Sequence, residues 1–158
     1  MKRLFLVYGH SRQGKTYLAQ QLRDEYGFEM LALDSLYVEH IQRHCPFLYF
    51  PDLSKFIAHH YLYILNPKEY ILSQYQRDLV EEWHQHLYAH VSALSARFDS
   101  LVVEGWLLKD CLGEVVTRMS GVAQVFPINV VERKYSHAGS ELTIAEIATL
   151  GTSDERFV

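Results

Sequence analysis

The sequence predicts an α/β fold: a central parallel sheet of about four or five strands, with a helical insertion between strands two and three. Three observations carry this. A short apolar run near the start leads directly into a glycine-punctuated loop, a segment of helical period follows, and a second apolar run comes next. Strand, helix and strand in that order form a βαβ unit, whose strands are parallel and whose crossover is right-handed. The chain of 158 residues suits one domain, 1–158. At that size folding removes roughly 70% of the unfolded surface from water, enough for a core without staples.

Leu4 to Tyr8 is continuous and β-prone, the pattern of a strand buried on both faces. Gly9 to Gly14 is the loop. Lys15 to Tyr26 sets Tyr17, Leu18, Leu22 and Tyr26 at helical spacing, and Gly27 stands where a left-handed C-cap ends a helix. Phe28 to Leu33 is the second strand. Residues 35–98 carry no strand pattern and form the expected helical insertion. Pro46, Pro51 and Pro67 divide it, leaving a short helix near Ser54 to Leu65 and a long one from Lys68 to Arg97. In the long one Tyr70, Ile71, Tyr75, Leu79, Trp83, Leu87, Val91 and Leu94 recur as an amphipathic stripe. Leu101 to Glu104 is a third strand, Ala123 to Val131 a fourth, and Thr143 to Leu150 a closing helix.

Composition removes several classes. Apolar types make up 49% and charged types 22%, which excludes a disordered tail, a collagen-like rod and a coiled coil. A formal net charge of −4 supplies no field toward nucleic acid or anionic lipid, so neither is an expected partner. Cys45 and Cys111 are too few for a disulfide scaffold and suit a reducing cytoplasm. The apolar run after Lys2 and Arg3 is shorter than a signal-peptide core of about 7–15 residues, and no run approaches the roughly 18 that span a bilayer. A cytoplasmic protein without membrane contact is expected; self-association into a homo-oligomer is left open.

Residues 9–16 read GHSRQGKT and match G-x-x-x-x-G-K-[ST] at every fixed position. Two glycines let the backbone fold back so that successive amides face one concavity, and the helix N-terminus behind adds positive potential. Gly9, His10, Ser11, Arg12, Gln13, Gly14, Lys15 and Thr16 are therefore the expected nucleotide-binding residues. Lys15 brings an ammonium to the β- and γ-phosphates, and the Thr16 hydroxyl is an Mg²⁺ ligand. A chance match would occur in on the order of a percent or less of chains this long. A GxGxxG dinucleotide loop does not fit, because the middle glycine is missing.

Ligands of open α/β sheets sit beyond the carboxyl ends of the strands. After strand two comes LDSLY, where Asp34 could serve an acceptor hydroxyl as general base or as orienting group, or could cap a helix. After strand three comes VVEGW, where Glu104 stands as a Walker-B carboxylate for Mg²⁺ does, with Gly105 turning the chain away. The other reading of Glu104 is a surface residue at a strand end.

GHSRQGKT, LDSLY and VVEGWLL, in that order, resemble the three signatures of P-loop kinases of the uridine kinase and phosphoribulokinase group. The resemblance covers about a quarter of the chain. It implies a three-layer, nucleoside-monophosphate-kinase-like sandwich binding ATP and Mg²⁺. It makes Lys15 and Asp34 catalytic, sets Tyr37 in the acceptor pocket and gives Glu104 a share in metal and acceptor binding. Leu36 replaces the usual aromatic residue of the second signature. Such kinases carry an arginine-rich lid after strand four. Here only Arg133, Lys134 and Arg156 follow Val131, so Arg133 is the candidate catalytic cation, with Arg12 and Arg118 as others.

Paired histidines (His40 with His44, His86 with His90) lack the convergent third ligand of a zinc site and read as packing. The aromatic stretches PFLYFPDL and HHYLYIL suit either an acceptor pocket, with Asp52 and Lys55 as polar contacts, or a helical core. Two functions follow. One is an ATP-dependent kinase acting on a nucleoside- or sugar-like hydroxyl acceptor; the other is a regulatory P-loop ATPase with weak or no kinase activity. No Asn-Lys-x-Asp segment specifies guanine.

Overall fold

The computed structural model describes residues 2–10, 12–36, 74–105 and 108–152, with 74–84, 86 and 109–111 described in their backbone alone. The chain divides into two compact units, Met1–Leu33 with Val91–Val158, and Asp34–His90. The first contains a sheet of six strands: β1 (Arg3–Tyr8), β2 (Glu29–Ala32), β3 (Ser100–Glu104), β4 (Gln124–Val131), β5 (Lys134–His137) and β6 (Ser140–Leu142). Their spatial order is β2-β3-β1-β4-β5-β6. The first four are parallel, as βαβ crossovers require, and β5 and β6 return antiparallel. The expected count of four or five strands is therefore too low, and the sheet is mixed.

The helices are α1 (Lys15–Tyr26), α2 (Gln74–Arg97), α3 (Leu108–Met119) and α4 (Ile144–Thr149). Gly27 ends α1 in the left-handed conformation, φ 74°, its N–H reaching back to Arg23 and that of Phe28 to Leu22. These two hydrogen bonds satisfy the Arg23 and Leu22 carbonyls in the last turns of the helix. Alternation along β1 then builds two apolar faces. Phe5 and Val7 join Leu18, Ala19 and Leu22 of α1, Val102 of β3, Ile128 and Val130 of β4, and Ile147 and Ala148 of α4 in one buried cluster. Leu4 and Leu6 point the other way and are fully buried, on the side where α3 packs along β1 and β4 with Leu108, Val115 and Met119 buried. Helix, sheet and helix make three layers. Each fully buried Leu or Phe contributes about 1.5–3 kcal/mol of transfer free energy, so the central strand alone outweighs any single polar contact.

One expectation about a helical face changes. Tyr17 and Tyr26 are exposed at 54% and 41%, and the buried stripe of α1 consists of Lys15, Leu18, Ala19 and Leu22. The sequence reading leaves residues 105–122 unassigned, whereas α3 fills most of them. Its apolar residues Leu108, Leu112, Val115 and Met119 recur at helical spacing, a signal interrupted by Gly113. Pro127 lies within β4 at no cost to the ladder. Its carbonyl faces His137 Nδ1 at 2.9 Å, so its missing N–H faces the same side, and β5 pairs only from Asn129 onward. The predicted helix at 54–65, and the start of the long helix at 68–73, lie outside the described residues. Among the described residues no helix is long and apolar enough to cross a membrane.

Candidate functional site

β1 ends at Tyr8, at the carboxyl edge of the parallel strands, and the chain turns there through Gly9 with φ 147°. A side chain at this position would meet a backbone: a Cβ on Gly9 would lie 2.5 Å from the Val130 carbonyl oxygen of β4. Glycine is required both by its φ and by this approach. Arg12 takes a left-handed φ of 63°, and Gly14, φ 104° and ψ 16°, is the N-cap of α1. The first turn of α1 carries no acidic residue, and no side chain caps it. A helix of 12 residues therefore opens onto the loop with its positive end uncovered by any protein carboxylate of its own first turn.

Lys15 is 6% exposed, and its ammonium donates to the His10 carbonyl at 2.6 Å across the loop. Beside it, the Thr16 hydroxyl lies 3.4 Å from Glu104 Oε2. Glu104 ends β3 and is 7% exposed. Its place follows from register: it sits opposite Val7 of β1 on one side and Ala32 of β2 on the other, with the Gly105 N–H bonded to the Val7 carbonyl. Strand pairing thus brings a carboxylate beside the phosphate-loop hydroxyl, across 88 residues of sequence.

The β4–β5 hairpin completes the site. Val131 pairs with Lys134, so the turn consists of Glu132 and Arg133, both left-handed at φ 50° and 62°. The Arg133 N–H donates to the Gln13 carbonyl at 2.9 Å, and the Glu132 N–H donates to Gln13 Oε1. Arg133 then lies against Gly14, whose Cβ, if present, would be 3.2 Å from Arg133 Cγ. A cleft of about 710 Å³ results, lined by Arg12, Gly14, Lys15, Thr16, Tyr17 and Arg133. Among the described residues three cations and no carboxylate line it, in a chain of net charge −4. Burial and the neighbouring Tyr17 push the Tyr135 phenol up from its ordinary range, and the Arg133 charge partly offsets this.

Of the residues singled out in the sequence, Arg12, Gly14, Lys15, Thr16 and Arg133 come together at this cleft, Gly9 shapes the loop and Glu104 adjoins Thr16. Gln13 turns toward the hairpin. Ser11 and Tyr37 lie outside the described residues, as do Asp52, Lys55, His40 and His44. Asp34 is half-buried in the helical turn that opens the second unit, directly after Leu33. Arg118 is on α3 and lies 3.9 Å from Glu114. No group of three or more His, Cys, Asp or Glu able to hold a metal occurs among the described residues. Tyr17 as a cleft residue and Glu132 as half of the turn were missed. The Glu-Arg turn lacks the Asn-Gly signature of two-residue hairpins, and Tyr17 reads as part of an apolar stripe.

No family model matches the chain, and no curated protein matches it. Among solved structures it is similar to the crystal structure of a "putative kinase" from Chloroflexus aurantiacus J-10-fl, with a TM-score of 0.45 and 18% sequence identity. The match covers 81% of this chain and 56% of that one, so the chain spans little more than half of that protein's length.

Proposed function

We propose that this protein is an ATP-dependent kinase of the P-loop class that phosphorylates a hydroxyl on a nucleoside- or sugar-like small molecule. One observation carries the reading: the glycine loop, a helix N-terminus without a side-chain cap, and the cations of Arg12, Lys15 and Arg133 converge on one cleft whose described lining holds no carboxylate. Such a site suits a polyanion. The fit extends to detail. At Gly9 and Gly14 a side chain would collide with backbone or crowd Arg133, so both positions suit the glycines of a phosphate loop. Thr16 Oγ1 and Glu104 Oε2 form a pair of hard oxygen donors, matching an ion that takes one or two protein oxygens and fills its shell with phosphate and water.

In this reading the backbone amides of residues 9–15 bind the phosphates, and Lys15 neutralises the bridging and terminal oxygens after leaving the His10 carbonyl. Thr16 and Glu104 would hold Mg²⁺, which when bound offsets phosphate charge and aligns the terminal phosphoryl group. Arg133 adds a guanidinium at the cleft mouth, in the role a lid arginine plays elsewhere. Asp34 orients the acceptor hydroxyl and receives its proton as the new O–P bond forms and the bond to the departing diphosphate breaks. Tyr37 contributes to the acceptor pocket.

A second reading, a regulatory ATPase, is favoured by one feature: β4 passes into β5 through a two-residue turn, where an arginine-rich lid would otherwise follow strand four. A screen of hydroxyl metabolites for ADP release separates the two. Acceptor-dependent release supports the kinase, and uniformly slow release supports the ATPase. Lys15→Ala should abolish turnover in either case. Asp34→Asn should keep Mg·ATP binding and lower acceptor-dependent turnover by about 10²-fold or more. Unchanged turnover removes Asp34 from the mechanism, and a wild-type protein that shows no heat of binding with Mg·ATP removes both readings.

A further inference from the structure

We infer that Gln13 is a positioning residue: it latches the Glu132–Arg133 turn to the phosphate loop and so fixes Arg133 over the cleft. The inference rests on the anion-site reading and extends it to how the cation is held. Two-residue hairpin turns with positive φ at both positions favour Asn and Gly, because other residues pay a steric cost between Cβ and the carbonyl. This turn uses Glu at φ 50° and Arg at φ 62° instead. A strained turn of this kind persists only where its surroundings over-determine it.

Besides the β4–β5 pairing, the contacts of this turn centre on Gln13. Gln13 accepts the Arg133 N–H at its backbone carbonyl and the Glu132 N–H at its side-chain oxygen, from 119 positions away in sequence. Both turn amides, at an exposed hairpin tip, are thereby bonded to the phosphate loop. Arg133 Cγ is brought to the face of Gly14, beside the α1 N-terminus and in the same cleft as Lys15. Any displacement of the loop at Gln13 moves Arg133 with it. A free arginine side chain on a flexible lid would lose more conformational freedom on reaching phosphate.

Four measurements test this. In wild-type protein the Glu132 and Arg133 amides should exchange with solvent slowly for a hairpin tip; fast exchange at both overturns the latch without any substitution. By calorimetry with Mg·ATP, Gln13→Met, which keeps length and removes the acceptor, should weaken binding about tenfold. Arg133→Ala should do the same, and the double variant should be no weaker than Arg133→Ala, because Gln13 acts through Arg133. Glu132→Asn, placing the favoured residue at the first turn position, should restore most of the affinity lost in Gln13→Met. Full additivity, unchanged affinity in Gln13→Met, or no rescue overturns the inference while leaving the anion site standing. Absence of Mg·ATP binding by the wild type overturns the anion site and the inference with it.

Discussion

Replacing Gly9 by Ala tests the geometry on which the site is built. The added Cβ would lie 2.5 Å from the Val130 carbonyl oxygen, about half an ångström closer than real Cβ contacts come. The obstacle is backbone. Val130 belongs to β4, whose neighbours Ile128 and Asn129 pair with Val7 and Tyr8 of β1, so the carbonyl cannot swing aside without opening the ladder. A φ of 147° adds a second penalty, since alanine rarely adopts it. The conformational cost is about 1–3 kcal/mol, and the forced displacement in a packed region costs a further 1–3 or so. Together they amount to roughly 2–6 kcal/mol against a total stability of about 5–15. At about 2–4 °C per kcal/mol for a chain of this size, Tm should fall by roughly 4–24 °C. Thermal unfolding followed by circular dichroism reads this directly. Gly113→Ala is the control: it lies in α3 with open space around it, and the same substitution should stabilise by about 0.5–1 kcal/mol. A Gly9→Ala protein melting within about 2 °C of wild type would refute the argument.

Arg3→Met should destabilise by about 2–3 kcal/mol in chemical denaturation. The guanidinium donates to the Ala148 and Leu150 carbonyls at 2.6 and 3.0 Å, closing the end of α4, and also to Ser100 Oγ. A loss below about 0.5 kcal/mol would show that water replaces it. Glu104→Gln keeps the shape of the Thr16 contact and removes its charge, so the Mg²⁺ dependence of ATP binding should weaken; an unchanged magnesium titration would exclude Glu104 from the metal. Glu146 and Thr143 form a capping box at α4, and the Thr143 backbone N–H, with its hydroxyl, holds the Glu146 carboxyl below the usual carboxylate range. Its folded value lies under its unfolded one, so the stabilisation is full above the ordinary carboxylate range of about 4.3. It is lost as pH falls through the lower, folded value. The Tm advantage of wild type over Glu146→Gln should therefore shrink as pH falls through that window, and an advantage constant with pH would contradict it.

The α/β class is legible from the first 33 residues because its code is local. A buried strand reads as an unbroken apolar run, and Gly27 closes α1 through bonds to Arg23 and Leu22 a few residues away. The loop between them is legible for the same reason, since its shape depends on two glycines spaced five apart in sequence. α3 was less legible because Gly113 breaks its period. β5 and β6 were not legible: their turns place Glu132, Arg133 and Ala138 in the left-handed region, which propensity reserves for glycine and asparagine.

What folding in three dimensions added is the assembly around the loop. Strand register, a sum of many weak pairings, brings Glu104 from 88 positions away to within 3.4 Å of Thr16. Two hydrogen bonds to Gln13 carry Arg133 from the far end of the chain to the face of Gly14. No short stretch encodes either approach. A glycine motif announces an anion cradle because backbone torsion is a nearest-neighbour property, whereas the cations and carboxylates that surround the cradle arrive by contacts whose energy exists only once the sheet has closed.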